Sequence, residues 1–174
     1  MPAETHTKTK QLLPIYLLCA ALAAAAYLLL SAHIEWTLFP YAKALERLFG
    51  LRFYFTGTAY AAAGSSAVLT KACSGVNLFL SLYTILAVGF LHCFRENKTR
   101  LLLSFLYFFT AVLTAFIATL FRIIVSLPFS ESPHFKLIHT VVSFSVFFGT
   151  GLLLYSLVQK ITAKTTSKNA KEEA

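Results

Sequence analysis

Three residues of reactive type stand at the ends of hydrophobic runs: Cys73 in the stretch Lys71-Ala72-Cys73-Ser74-Gly75-Val76-Asn77, Arg122 and His139. A cysteine in the first turn of a membrane helix faces the positive end of the helix dipole, a setting that favours the thiolate. Arginine and histidine embedded in apolar sequence cost free energy unless they find partners, and such intramembrane groups are functional candidates. The chemistry the three would support is acyl transfer. Cys73 as thiolate would attack a peptide carbonyl, and His139 would take the thiol proton or protonate the leaving amine. Arg122 would stabilise the thiolate or the tetrahedral oxyanion, an effect that is large where water is scarce. Asn77, one helical turn after Cys73, and Thr119, three residues before Arg122, share a face with their neighbours and are candidates for supporting roles, as is Ser74.

Each residue also has an ordinary explanation. Cys73 suits helix packing as a small side chain, and so does Cys19 inside an earlier apolar run. Arg122 suits snorkelling to headgroups or binding a lipid phosphate. His139, Asn77 and Thr119 suit hydrogen bonds between helices. What favours chemistry is the coincidence of three such residues from three separate helices at one depth. Other constellations are weaker. His134 and His139 are badly spaced to share a metal and have few carboxylates near them. Ser65, Ser66 and Ser74 lie outside any GxSxG pattern. His92 and Cys93 fall at the opposite end of their helix and read as packing residues. No metal or cofactor is expected, and three cysteines without CxxC spacing argue against a disulfide framework or zinc site.

The elements that must position these residues are membrane helices. Of 174 residues, 57% are hydrophobic and 13% charged, with a mean hydropathy of +0.70, a composition of integral membrane proteins. The net charge of +8 sits in short stretches beside apolar runs, the pattern of orientation signals and lipid contact and not of a nucleic-acid face. Four runs are long enough to cross about 30 Å of hydrocarbon: about 12–32, 72–94, 101–127 and 137–159. The first is too long for a signal-peptide core and reads as a retained anchor. Between the first two runs, Pro40 marks a helix start, and Tyr41, Leu45, Leu48 and Phe49 share a face while Lys43, Glu46 and Arg47 lie away from it. That pattern predicts a short helix lying in the interface, ended by Gly50. Phe53 to Thr56 favour a strand, and Gly64-Ser65-Ser66 offers a turn before Ala67 to Thr70, which predicts a small β-hairpin.

The expected fold is therefore an all-α integral membrane protein with four transmembrane helices, an outer-face interfacial helix and a small hairpin. Residues 12–159 form one embedded domain between disordered tails, 1–11 and the basic 160–174. Nine Lys and Arg residues flank one side of the spans and five the other, over a longer sequence. The positive-inside rule then puts both termini in the cytoplasm and brings Cys73, Arg122 and His139 together on the outer side of the cell membrane.

Ala72-Cys73-Ser74-Gly75 at the head of a membrane helix, Thr119-Leu120-Phe121-Arg122-Ile123 closing the next and His139 opening the last resemble the exosortase/archaeosortase family of membrane cysteine transpeptidases. The likeness covers roughly residues 50–151, and the chain looks like one of the compact members, the exosortase K type. The resemblance implies cleavage of a carboxy-terminal sorting signal, a short motif followed by a membrane helix and a basic tail, on exported proteins. The product is held as a thioester on Cys73 and passed to an acceptor amine or to water, with Arg122 and His139 completing the triad. Two departures stand out: Thr119 occupies a position where family members often have Asn, and helices that many relatives carry are absent. The rival expectations are a hydrolase that cleaves without transfer, and a small membrane interaction or lipid-binding subunit with no enzymatic activity. Membrane lipids are partners under every one of these expectations.

Overall fold

Burial of long apolar runs dictates the architecture. The computed structural model of the protein describes residues 3–90 and 97–172. In chain order it has α1 (Ala3–Ala32), α2 (Ile34–Phe49), β1 (Phe53–Phe55), β2 (Tyr60–Ala62), β3 (Val68–Leu69), α3 (Val76–Phe90), α4 (Asn97–Ser126) and α5 (Phe135–Glu172). Among the described residues, four helical segments are long and apolar enough to cross a membrane: Leu13–Ala32, Lys71–Gly89, Thr99–Phe129 and Phe135–Lys160. They correspond to the four hydrophobic runs of the sequence. The expected charged loop between the second and third runs, with His92 and Cys93 before it, falls mostly outside the described residues.

Helix α3 is the centre of the bundle and packs against α1, α4 and α5. Its Leu78, Phe79, Leu82, Tyr83 and Leu86 meet Ile15 and Cys19 of α1 and the small residues Ala111, Ala115 and Ala118 of α4. Small side chains at helical spacing let two backbones approach closely, which is how apolar helices gain contact without a hydrophobic drive between them. The Phe108 ring stands nearly perpendicular to both Phe79 and Tyr83, at centroid distances of 5.3 and 5.6 Å. The outward faces are apolar too: Leu102, Phe109, Leu137 and Leu152 are all more than 60% exposed.

A second, smaller core sits at one end of the bundle. Leu38, Tyr41, Ala42 and Leu45 of α2 pack there with Tyr60, Leu69, Cys73 and Ile123. The interfacial helix differs from its sequence reading in two ways. It begins at Ile34, with Pro40 inside it; the burial of Leu38 and Leu45 outweighs the one backbone hydrogen bond that a proline removes. Its inward stripe is Leu38, Tyr41, Ala42 and Leu45, while Leu48 and Phe49 are exposed. Gly50 ends the helix in a left-handed conformation, its N–H donating to the Glu46 carbonyl, as helix ends commonly do.

The expected hairpin is a three-stranded antiparallel meander in the order β1-β2-β3. Phe53 pairs with Ala62, and Tyr60 pairs with both Phe55 and Leu69. The added central strand, Tyr60-Ala61-Ala62, carries little strand propensity of its own, and pairing on both sides supplies the rest. The tails also differ from expectation: α1 starts at Ala3 and α5 continues to Glu172. Neither polar tail contains a Gly or Pro breaker within these bounds, and extending an existing helix avoids a new nucleation cost.

Candidate active site

The turn that carries Cys73 is built from local hydrogen bonds. Thr70 is extended, and Lys71–Cys73 form one 3-10 turn in which the Cys73 N–H donates to Thr70 O at 2.8 Å and the Ser74 N–H to Lys71 O at 3.1 Å. Gly75 then adopts φ +70°, a conformation open to glycine at little cost. Its carbonyl accepts the first α3 hydrogen bond, from the Phe79 N–H at 2.9 Å. Gly75 is thus the cap of α3, and Cys73 precedes it by two residues. The sequence reading puts Cys73 in the first helical turn; the bend at Gly75 lifts it off the helix, and the dipole's influence falls away over that distance.

Helix α4 reaches this turn with two side chains. The Arg122 Nη2 donates to Ala72 O at 2.9 Å. One turn earlier, Thr119 is 2% exposed, and its hydroxyl stands with the Tyr41 phenol against Gly75, where an added Cβ would meet them at 2.5 and 3.0 Å. Tyr41 in turn donates from its hydroxyl to Ser74 O at 3.2 Å. Burial pushes the Tyr41 phenol up to about 12, against the neighbouring Thr119 hydroxyl and the Arg122 charge, which pull it down. The phenol therefore stays a protonated donor throughout the physiological range.

A cavity of about 500 Å³ opens beside the turn, between α3, α4 and α5. Lys71, Ala72, Ser74, Gly75 and Asn77 line it from the turn and the start of α3, Thr119 and Arg122 from α4, and His139, Thr140 and Ser143 from α5. Two of its nitrogens, Arg122 Nε and His139 Nδ1, are buried with no hydrogen-bond partner among the described residues. Unpaired buried polar atoms of this kind are rare in folded proteins and call for an explanation. The Ser143 hydroxyl donates to the His139 carbonyl, within α5.

Among the expected residues, Arg122, His139, Asn77, Thr119 and Ser74 therefore share one cavity. Cys73 does not line it: it is 8% exposed and packs in the small core with Tyr41 and Ile123, while its neighbours Ala72 and Ser74 form the cavity wall. Cys19 is buried in the bundle core, away from this site. Two participants do not stand out from sequence as site residues, Tyr41 and Gly75. Tyr41 is legible there only as part of an apolar stripe, and Gly75 only as a residue of the Ala72-Cys73-Ser74-Gly75 motif. Compared with family models, with curated proteins and with solved structures, the chain finds no match in any of the three.

Proposed function

We propose that this chain is an exosortase-like membrane cysteine protease and transpeptidase, lying in the cell membrane with both termini in the cytoplasm and the cavity on the outer side. The observation that carries the reading is the joint placement of Arg122 and His139, each with an unpaired buried nitrogen, in one cavity whose lining includes Ala72 and Ser74 on either side of Cys73. Apolar outward faces on helices of membrane-spanning length support the location. Rotation of the Cys73 side chain toward the cavity presents the sulfur to a peptide carbonyl. Its proton passes to His139, a C–S bond forms, and the oxyanion is held by the Arg122 guanidinium. Collapse breaks the C–N bond, His139 returns the proton to the leaving amine, and a thioester remains for attack by an acceptor amine or by water. The substrate is an exported protein with a carboxy-terminal membrane helix and basic tail.

The test compares carboxy-terminal truncation of exported membrane proteins in host cells carrying the parent chain, Cys73→Ala or Arg122→Ala. Both substitutions are expected to slow truncation by at least about 100-fold while the chain stays in the membrane. Unchanged truncation in both sinks the reading. A second reading, a lipid-binding subunit, is favoured by the position of Cys73 behind the cavity wall and by the free Arg122 Nε, which suits a phosphate. It predicts that Cys73→Ser is silent and that Arg122→Ala lowers the amount of anionic lipid that copurifies.

A further inference from the structure

We infer that Tyr41 is a positioning residue for the Cys73 turn, acting with Thr119 as a clamp from the interfacial helix. The inference rests on the reading of Cys73 as the nucleophile, and its geometry stands independently of that reading. Two side chains from different elements grip the carbonyls flanking Cys73: Arg122 of α4 takes Ala72 O, and Tyr41 of α2 takes Ser74 O. Residue 73 is held between them.

The fit on the Tyr41 side is tight. A Cβ on Gly75 would come within 2.5 Å of the Thr119 hydroxyl oxygen and 3.0 Å of the Tyr41 hydroxyl oxygen, so both hydroxyls press against the Gly75 backbone at the bend. The Tyr41 ring is fixed in turn by Phe116 of α4, 4.9 Å away between centroids. Removal of the Tyr41 hydroxyl leaves this ring contact in place and deletes only the grip on Ser74 O. Because the Tyr41 phenol remains protonated, the grip holds across physiological pH.

The consequence is a coupling between α2 and the sulfur. While the clamp is closed, the Ser74–Gly75 peptide is fixed in its left-handed bend and the Cys73 side chain has one defined starting position in the small core with Ile123. With the clamp open, the turn samples other conformations: the thiol gains access to small reagents, and its rotation toward Arg122 and His139 no longer starts from a fixed position. Misplacement of a nucleophile by about 1 Å is enough to cost roughly 100-fold in rate.

The experiment measures alkylation of Cys73 by a membrane-impermeant maleimide in the full chain in open membrane fragments, read by site-resolved mass spectrometry. The variants are Tyr41→Phe, Thr119→Val, Thr119→Ser and, as a control, Leu45→Ala, which loosens the same small core without touching the clamp. Tyr41→Phe is expected to speed alkylation about fivefold, the size of one lost net hydrogen bond, and Thr119→Val, which puts a methyl group where the hydroxyl meets Gly75, is expected to speed it too. Thr119→Ser, which keeps the hydroxyl, is expected to match the parent. In the truncation assay Tyr41→Phe is expected to slow truncation while the amount of chain in the membrane stays at the parent level. Parent-like alkylation of both Tyr41→Phe and Thr119→Val overturns the clamp, as does Leu45→Ala producing the same acceleration at a smaller loss of thermal stability. If the alkylation pattern holds but Cys73→Ala still truncates substrate, the clamp stands and the enzymatic reading fails. Unaltered alkylation alongside an essential Cys73 gives the converse.

Discussion

At the scale of single residues, Gly75 is where geometry and chemistry meet. Its positive φ lifts Cys73 off α3, and its missing side chain admits the Tyr41 and Thr119 hydroxyls. Gly64 has a similar φ of +75°, yet a Cβ added there would meet nothing within 4 Å. The pair therefore separates two costs. Gly64→Ala is expected to lose about 1 kcal/mol for the strained backbone alone. Gly75→Ala is expected to lose that amount plus about 1–3 kcal/mol for the forced displacement of Thr119. Thermal unfolding in detergent checks the difference: equal shifts for the two variants would mean that the close approach at Gly75 relaxes freely.

Among the elements, α2 has the most work to do, since it joins the sheet to the bundle and carries Tyr41. One joint is electrostatic. Glu46 accepts from Lys43 Nζ at 2.6 Å and from the Phe53 N–H at 3.1 Å, linking α2 to β1. These hydrogen bonds, the Lys43 one first, hold its carboxyl below the ordinary glutamate value of 4.5. A carboxyl with a depressed folded value adds stability that is full above its unfolded value and is lost as pH falls through the folded one. The thermal midpoint of the parent is thus expected to exceed that of Glu46→Gln at neutral pH, with the gap closing as pH drops below about 4.5. A gap that persists at the acid end would show that the joint does not depend on the carboxylate. The effect is modest, because the ion pair is exposed and screened by solvent.

For the whole molecule, the small core gathers α2, the sheet, the Cys73 turn and the end of α4 at one end of the bundle, and that end holds the cavity. The excess of Lys and Arg flanks the other end, and the proposed orientation, with the cavity outside, follows from that asymmetry. Single cysteines introduced as Thr58→Cys and Glu131→Cys, in a chain whose native cysteines are alanine, are expected to react with an impermeant maleimide added outside intact cells. Lys8→Cys and Lys168→Cys are expected to react only after the membrane is opened. The reverse pattern would place the cavity in the cytoplasm, where exported substrates no longer present their processed ends.

Hydrophobic transfer adds up residue by residue along the chain, so the four apolar runs and the placement of Arg122 and His139 near their ends could be read directly from the amino-acid order. The stripe on α2 was legible only in part, because which apolar residues turn inward depends on what lies beneath them: Leu38 found a partner surface and Leu48 did not. Strand β2 was hidden for a related reason, its alanines having a strand's conformation only between two neighbours. The site itself was decided by tertiary structure. Whether Cys73 faces the cavity or the small core, and which donors grip the carbonyls beside it, depends on Tyr41 and Arg122, 33 and 50 residues away from the atoms they hold. Composition and spacing determined that residues of reactive type would gather at one end of the bundle; only contacts between distant elements determined that the cysteine stands behind the wall of its own cavity.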